Sequence, residues 1–301
     1  MSIDSLTSPV ATLPAPEAMP TAPLGDVPLS AEQLRFFEVF GFVRLPGLLR
    51  DTIQAIDRAF ETVWAEHGGG HQGLAHAGRE RSCLPCFIER SHDLSALLED
   101  PRIHGPACSL LGEDFNYMGS DGNLYVGDTH WHRDGVHRGI RHIKILVYLD
   151  PLTRSQGALR VVPGSHHIAD GYAQEAGAVA MHPASVGVQG AEIPDTALEV
   201  VPGDVLIFNH NLLHASFGGS TRRRMFTYNL CQRYAPQRLG ELAEHLAMGA
   251  RFLIPRAFDQ RFIATAGALR LRHIEQPLAH DGLLCERAAA MRAYGHAPAR
   301  G

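Results

Sequence analysis

The segment Thr129-His130-Trp131-His132-Arg133-Asp134, with His214 far downstream in Asn209-His210-Asn211-Leu212-Leu213-His214, restricts this chain more than any other feature. In an extended strand residues i and i+2 project to one face, so an imidazole at His132 and a carboxylate at Asp134 can close on a single ion. His214 must then arrive from a strand remote in sequence, which a β-barrel or sandwich permits. Two histidines and one carboxylate make a facial triad that leaves three coordination positions open and suits non-haem Fe(II). The tripeptide alone carries little weight in a chain with 18 His and 32 Asp plus Glu. His130, His137 and His142 compete for the role, but only His132 has the two-residue offset to a carboxylate.

The rest of the sequence supplies the frame. Short apolar runs at 115–118, 123–127, 142–149, 158–162, 198–201, 204–209 and 224–231, separated by turn residues, argue for a sandwich or barrel. Before them, Ser30-Ala31-Glu32-Gln33 fits a capping box that opens a short helix ending at Gly41. Phe42–Leu45 reads as a first strand, residues 51–66 as an amphipathic helix, 71–92 as a loop bordering the site, and 94–111 as helical. The long insertion at 166–197 sits where specificity loops lie in such barrels. After 236 the pattern is helical again, at 237–250 and 281–293.

Further motifs fall in order around the triad: Gly41-Phe42-Val43-Arg44-Leu45-Pro46-Gly47, Pro163-Gly164-Ser165-His166, Pro202-Gly203-Asp204 with Phe208, Ser216 after His214, and Arg222-Arg223-Arg224. Together these resemble the phytanoyl-CoA dioxygenase family of Fe(II)/2-oxoglutarate oxygenases, from about residue 30 to about 235. The resemblance implies a mainly β fold, a double-stranded β-helix (jelly roll, cupin-like) with flanking α-helices. It implies His132, Asp134 and His214 as iron ligands, 2-oxoglutarate as co-substrate and O2 as oxidant. The products would be succinate, CO2 and a small molecule hydroxylated at an unactivated C–H. Halogenating members lack the carboxylate ligand, so Asp134 points to hydroxylation or a related oxidation. An arginine after the distal histidine would hold the far carboxylate of 2-oxoglutarate.

Alternation chooses among the three arginines. Arg223, Met225, Thr227 and Asn229 share a face, and a pocket wall that binds an anion is the polar one, so Arg223 is the expected clamp. Its spacing from His214 is slightly shorter than is common in the family, which keeps Arg222 and Arg224 as alternatives. Ser216 shares the face of His214 and can add a hydroxyl contact, or it is a turn serine. Lys144, the sole lysine, alternates with Leu146 and Tyr148. It either faces solvent at a sheet edge or points inward to the 2-oxoglutarate carboxylate or an anionic substrate; the inward reading is favoured. Trp131 and His166 read as structural, Asp204 as a turn residue leading into the strand before His214. His137-Arg138 and Arg141-His142 form a basic cluster, a solvated rim by default, that can also meet an acidic substrate.

Composition bounds the remainder. With 301 residues, 45% hydrophobic and 20% charged, one domain over residues 29–301 is expected, its β core at about 115–235 and its C-terminal helices at 236–295. Residues 1–28, rich in Pro and Ala, read as a disordered leader without a secretory pattern. A net charge of −5 gives no reason to expect nucleic acid or an anionic membrane as a partner, and no apolar stretch reaches transmembrane length. Five cysteines, odd in number and spread, suggest reduced thiols and a cytoplasmic setting. Cys83-Leu84-Pro85-Cys86 lacks the second pair a zinc site needs, so ordinary thiols are expected there. A small polar or anionic metabolite is the expected substrate. Two other readings remain, a non-catalytic jelly roll that binds a small molecule or metal, and a zinc hydrolase. A hydrolase would need a general base beside the metal, and the sequence marks none.

Overall fold

The structure, a computed structural model, describes residues 26–300 apart from 68, 220 and 221. Among the described residues, ten strands form two antiparallel sheets. They are β1 (Phe42–Leu45), β2 (Ser82–Pro85), β3 (Asn116–Tyr125), β4 (Thr129–His132), β5 (His142–Tyr148), β6 (Leu159–Val161), β7 (Thr196–Leu198), β8 (Val205–Asn209), β9 (His214–Ser216) and β10 (Arg223–Cys231). The larger sheet runs β1-β8-β5-β10-β3-β2, the smaller β4-β9-β6-β7. Neighbours in each sheet are mostly remote in sequence, as a double-stranded β-helix requires, and this is how β9 brings His214 beside β4.

The period-2 pattern partitions the sheet faces. Leu146 and Tyr148 of β5 and Met225 of β10 join Phe42, Leu206 and Phe208 in an apolar cluster of the inner face. Ile143, Ile145, Val147, Phe226, Tyr228 and Leu230 point the other way, into a larger core covered by helices. Full burial of each such side chain contributes about 1.5–3 kcal/mol.

The covering helices are α1 (Ala31–Phe40), α2 (Ile53–Glu66), α3 (His92–Ala96), α4 (Pro101–Leu111), α5 (Gly171–Met181), α6 (Leu239–Ala247), α7 (Gln260–Ala264), α8 (Ala268–Ala279) and α9 (Gly282–Ala293). The capping box at Ser30 and Gln33 forms as expected, and α1 ends at Gly41 with φ +84°. A side chain at Gly41 would also strike His166 and Leu212. The β core with flanking helices is as expected, although among the described residues the flanking α-helices hold more of the chain than the strands do.

Several boundaries differ from the sequence reading. Asp100 caps a new helix at Pro101, which divides the single helix expected over 94–111. The runs at 115–118 and 123–127 are one strand, β3, with Gly119 and Gly122 inside it. Part of the loop expected over 71–92 is β2, paired with β3. The insertion at 166–197 contains α5, and the C-terminal region holds two helices, α7 and α8, that were not anticipated. Residues 1–25 of the expected leader lie outside the described residues. Its last part, however, is packed: Val27 N–H donates to Pro101 O at 3.2 Å and Asp26 meets His104 at 3.1 Å.

Candidate active site

His132 is the last residue of β4 and stands directly opposite His214, the first residue of β9, in the antiparallel register. Asp134 lies two residues further on, past the strand end, so the carboxylate is delivered by the turn rather than by the strand face. The outcome is the convergence expected. Asp134 Oδ1 is 3.9 Å from His132 Nε2 and 3.7 Å from His214 Nε2. His132 Nδ1 lies 2.7 Å from His130 O and His214 Nδ1 2.9 Å from Leu212 O. A carbonyl can only accept, so both Nδ1 atoms carry the proton and both Nε2 lone pairs face the carboxylate.

Arg133 braces this corner. Its guanidinium donates to Ser165 O at 2.5 Å, to Ala173 O of α5 at 3.0 Å and to Asn211 O. One side chain between two triad members thus fixes the segment that leads to the third.

Electrostatics favour the metal-binding forms. Burial pushes the Asp134 carboxyl up, but Lys144, His214, His210 and His132 outweigh it and hold the group well below the usual carboxylate range. Burial pushes His214 down to about 4, leaving it neutral at physiological pH. A carboxylate and two imidazoles that turn their Nε2 atoms toward it are the donor set that Fe(II) takes.

Lys144 points inward, as favoured, but its Nζ sits 2.8 Å from Asp134 Oδ2. Its partner here is a triad carboxylate rather than open cavity. The three arginines separate cleanly. Arg224 is ion-paired to Asp57, Glu61 and Asp150 on the helix-covered face, and Arg222 reaches Glu61 at 3.4 Å. Arg223 is 3% exposed and faces the cavity. It donates to Gly157 O at 2.7 Å, Gly127 O at 2.9 Å and Ser216 Oγ at 2.9 Å. No described carboxylate lies within ion-pair distance of Arg223, and its Nε is buried without a partner.

Triad, Lys144, Ser216 and Arg223 all border one cavity of about 620 Å³. Phe208, Leu146, Tyr148 and Met225 give it an apolar wall. Arg81, Asp121, Tyr125 and Arg251 give it a polar one. Arg81 stacks over Tyr125, with Cζ 4.2 Å from the ring centre, and donates to Asn123 Oδ1 at 2.7–2.9 Å. Asp121 accepts from Thr227 Oγ1 at 2.9 Å.

Sequence reasoning missed Arg81, Asp121 and Arg251 as cavity residues. The expectation that the 71–92 loop borders the site was the signal for Arg81. Nothing local marks Arg251, which comes from the C-terminal helical region. The basic cluster does not face the cavity as an acidic-substrate site. Arg141 pairs with Glu38 at 2.8 Å, and the His142 ring is buried. Cys83 and Cys86 border the cavity, but burial pushes the Cys83 thiol up to about 12 and raises that of Cys86 too, so both stay protonated and unreactive. All five cysteines are free. Trp131 donates to Gly190 O and also borders the cavity, and the His166 ring contacts Glu38 O. No helix among the described residues is long and apolar enough to cross a membrane.

Comparison with known proteins agrees with this geometry. The family model for phytanoyl-CoA dioxygenase (PhyH) matches residues 37–226. The dioxygenase lolE1 of Epichloe uncinata is 24% identical over 218 residues, 65% of this chain and 79% of that protein. Among solved structures, the non-haem alpha-ketoglutarate-dependent carbocyclase SnoK from nogalamycin biosynthesis superposes with TM-score 0.55 at 21% identity, covering 73% of this chain and 93% of SnoK. HygX from Streptomyces hygroscopicus, crystallised with nickel and 2-oxoglutarate, gives TM-score 0.53 at 19% identity, covering 69% and 89%.

Proposed function

The chain belongs to the phytanoyl-CoA dioxygenase family and is a 2-oxoglutarate-dependent non-haem iron dioxygenase; on that premise we propose that it hydroxylates a C–H bond of a small polar or anionic metabolite. In this reading His132, Asp134 and His214 hold Fe(II), and Arg223 with Ser216 binds the distal carboxylate of 2-oxoglutarate. The observation that carries it is Arg223 itself. A buried guanidinium with only neutral oxygens around it is unfavourable until an anion joins it, and this one borders the cavity that the triad faces.

Iron with 2-oxoglutarate supplies the oxidising power, coupling loss of CO2 to use of O2 on a C–H bond. The remaining work belongs to the side chains. Nδ1 bonds to His130 O and Leu212 O keep both ligand imidazoles in the Nε2-coordinating tautomer. Lys144 holds Asp134 ionised and occupies its outer oxygen, which leaves Oδ1 turned toward the histidines. Lys144 serves this reading as a positioning residue and as a positive charge near the co-substrate. Leu146, Tyr148, Met225 and Phe208 exclude water from one wall and so strengthen the charge interactions inside.

The substrate class rests on the charge of the cavity. Arg81, Arg133, Lys144, Arg223 and Arg251 border it, against Asp121 and Asp134 as its acidic residues. Arg81 pairs with Asp121 at 3.9 Å and Lys144 with Asp134 at 2.8 Å, so with Arg223 engaged Arg251 remains to meet an anionic group. Succinate formation should be stimulated by a subset of small carboxylated or phosphorylated metabolites when a panel is screened with Fe(II), 2-oxoglutarate and O2. Arg251→Ala should raise KM for that metabolite about tenfold, the worth of one charge-assisted bond, without altering KM for 2-oxoglutarate. Stimulation by neutral apolar compounds alone would overturn the substrate class. Free cysteines fit a reducing, cytoplasmic setting.

A further inference from the structure

Four histidines that the oxygenase reaction does not use lie together beside the triad. His137 stacks flat on His142, with ring centres 3.6 Å apart and 5° between planes. His245, on α6, meets the two rings at 5.2 and 4.7 Å, and His210 lies 5.6 Å from each. A neutral imidazole offers one N–H and one lone pair, and buried polar atoms are normally paired. Here His137 Nε2, His142 Nδ1 and both ring nitrogens of His210 are buried without a hydrogen-bond partner.

The backbone holds this arrangement deliberately close. His210 N–H donates to His142 O at 3.0 Å. The Asn211 side chain accepts from His137 N–H at 2.8 Å and donates to His137 O at 2.9 Å. Tyr234 Oη sits 2.8 Å from His142 Nε2, an outer contact that leaves Nδ1 for another partner.

We propose that His137, His142 and His245 form a second metal site, separate from the facial triad, for a divalent ion of the zinc class. One ligand atom from each lies within 4.8 Å of the others. Nitrogens bound tetrahedrally to one zinc at about 2.1 Å sit about 3.4 Å apart, so binding draws these atoms together and turns the His137 and His142 rings out of their parallel stack. Burial pushes His137 and His245 down to about 4, so their lone pairs are free at neutral pH. Three imidazoles with no carboxylate or thiolate suit Zn²⁺, Ni²⁺ or Cu²⁺ and not Mg²⁺ or Ca²⁺.

A route from solvent exists. His137 and His245 also border an outer cavity of about 370 Å³, together with Glu244, Arg138 and the Arg238–Glu241 pair. His245 borders the main cavity as well, followed on α6 by the cavity residue Leu246. An ion here therefore ties α6 to β5 and to the segment that follows Asp134, fastening one wall of the active site.

The test is zinc stoichiometry by equilibrium dialysis and metal analysis, with thermal unfolding as a second readout. Wild type should bind two Zn²⁺, His132→Ala/His214→Ala one, His245→Gln one, and the triple variant none. In the His132→Ala/His214→Ala protein, zinc should raise the unfolding temperature, and adding His245→Gln should abolish the shift. His137→Asn serves as a second variant, and circular dichroism confirms that each is folded. No zinc bound to the His132→Ala/His214→Ala protein, or zinc there insensitive to both His245→Gln and His137→Asn, would overturn the proposal. Failure of the iron assignment would look different, as stoichiometry unchanged on removing His132 and His214.

Discussion

Arg223 is buried with no carboxylate within ion-pair distance among the described residues, and this makes it the residue whose replacement is most diagnostic. Its neighbours are the carbonyls of Gly127 and Gly157 and the Ser216 hydroxyl. Lysine retains the charge but loses the planar fork. Arg223→Lys should raise KM for 2-oxoglutarate by about 10- to 100-fold, the range of one or two charge-assisted bonds, while iron affinity stays near wild type. An unchanged KM in steady-state assays would remove Arg223 from the co-substrate site. Glu89 shows the opposite electrostatic design. Its carboxyl is buried in the helix-covered core, accepting from Tyr117 Oη at 2.6 Å and from Ser120. Burial pushes it up from 4.5 to about 7, against the pull of the Ser120 and Tyr117 hydroxyls. The unfolded chain releases this proton near pH 4.5, whereas the folded protein keeps it until about pH 7. Stability from this group is therefore complete below pH 4.5 and lost as pH rises to 7, a change of roughly 3 kcal/mol. Denaturant titrations of wild type and Glu89→Gln at pH 5 and pH 8 should show that decline in wild type only; parallel profiles would refute it.

At the scale of elements, the turn Pro202-Gly203-Asp204 shows how a loop fixes a strand that leads to the site. Gly203 has φ +97°, and a side chain there would meet the backbone of Arg50. Asp204 is buried, accepts from Gly47 N–H at 2.8 Å and from Val201 N–H at 3.3 Å, and pairs with Arg44 at 2.8 Å. It thereby joins β1 to the start of β8, five residues upstream of the loop that ends in His214. Asp204→Ala should cost about 2–4 kcal/mol in chemical denaturation; a loss under 0.5 kcal/mol would contradict the bracing role. Short, nearly continuous apolar runs revealed β1, β5, β8 and β10 because each has one face in the inner cluster and the other under helices. The same reading split β3 in two, because Gly119 and Gly122 read as breaks. Gly122 in fact marks close approach, since a Cβ there would fall 2.1 Å from the Phe87 ring. The short strands β2 and β9 offer too few residues for a period to register, though the ligand motif itself marked the site of β9.

Across the whole molecule, the chemistry was legible and the specificity was not. Triad, inward lysine and the choice of Arg223 followed from residue spacing and family resemblance, because His132, His214, Lys144 and Arg223 sit on strands of the jelly roll and Asp134 follows β4 by two residues. The cavity beyond them is assembled from irregular segments distant in sequence, Arg81 from the loop before β2 and Arg251 after α6. The family match stops at residue 226, short of the helical region that supplies Leu246, Met248, Arg251 and Phe252 to the cavity. That region completes the pocket without contributing to the triad, so it can set which metabolite enters while the reaction stays the same. The central claim is that one cavity binds Fe(II) through His132, Asp134 and His214 and 2-oxoglutarate through Arg223. The most direct test is anaerobic visible absorption on adding Fe(II) and then 2-oxoglutarate to wild type, His132→Ala and Arg223→Lys. The account predicts the weak charge-transfer band of the iron chelate in wild type, its loss in His132→Ala, and its appearance only at higher 2-oxoglutarate in Arg223→Lys. A band of equal strength in all three proteins, or none in an iron-loaded wild type, would contradict it.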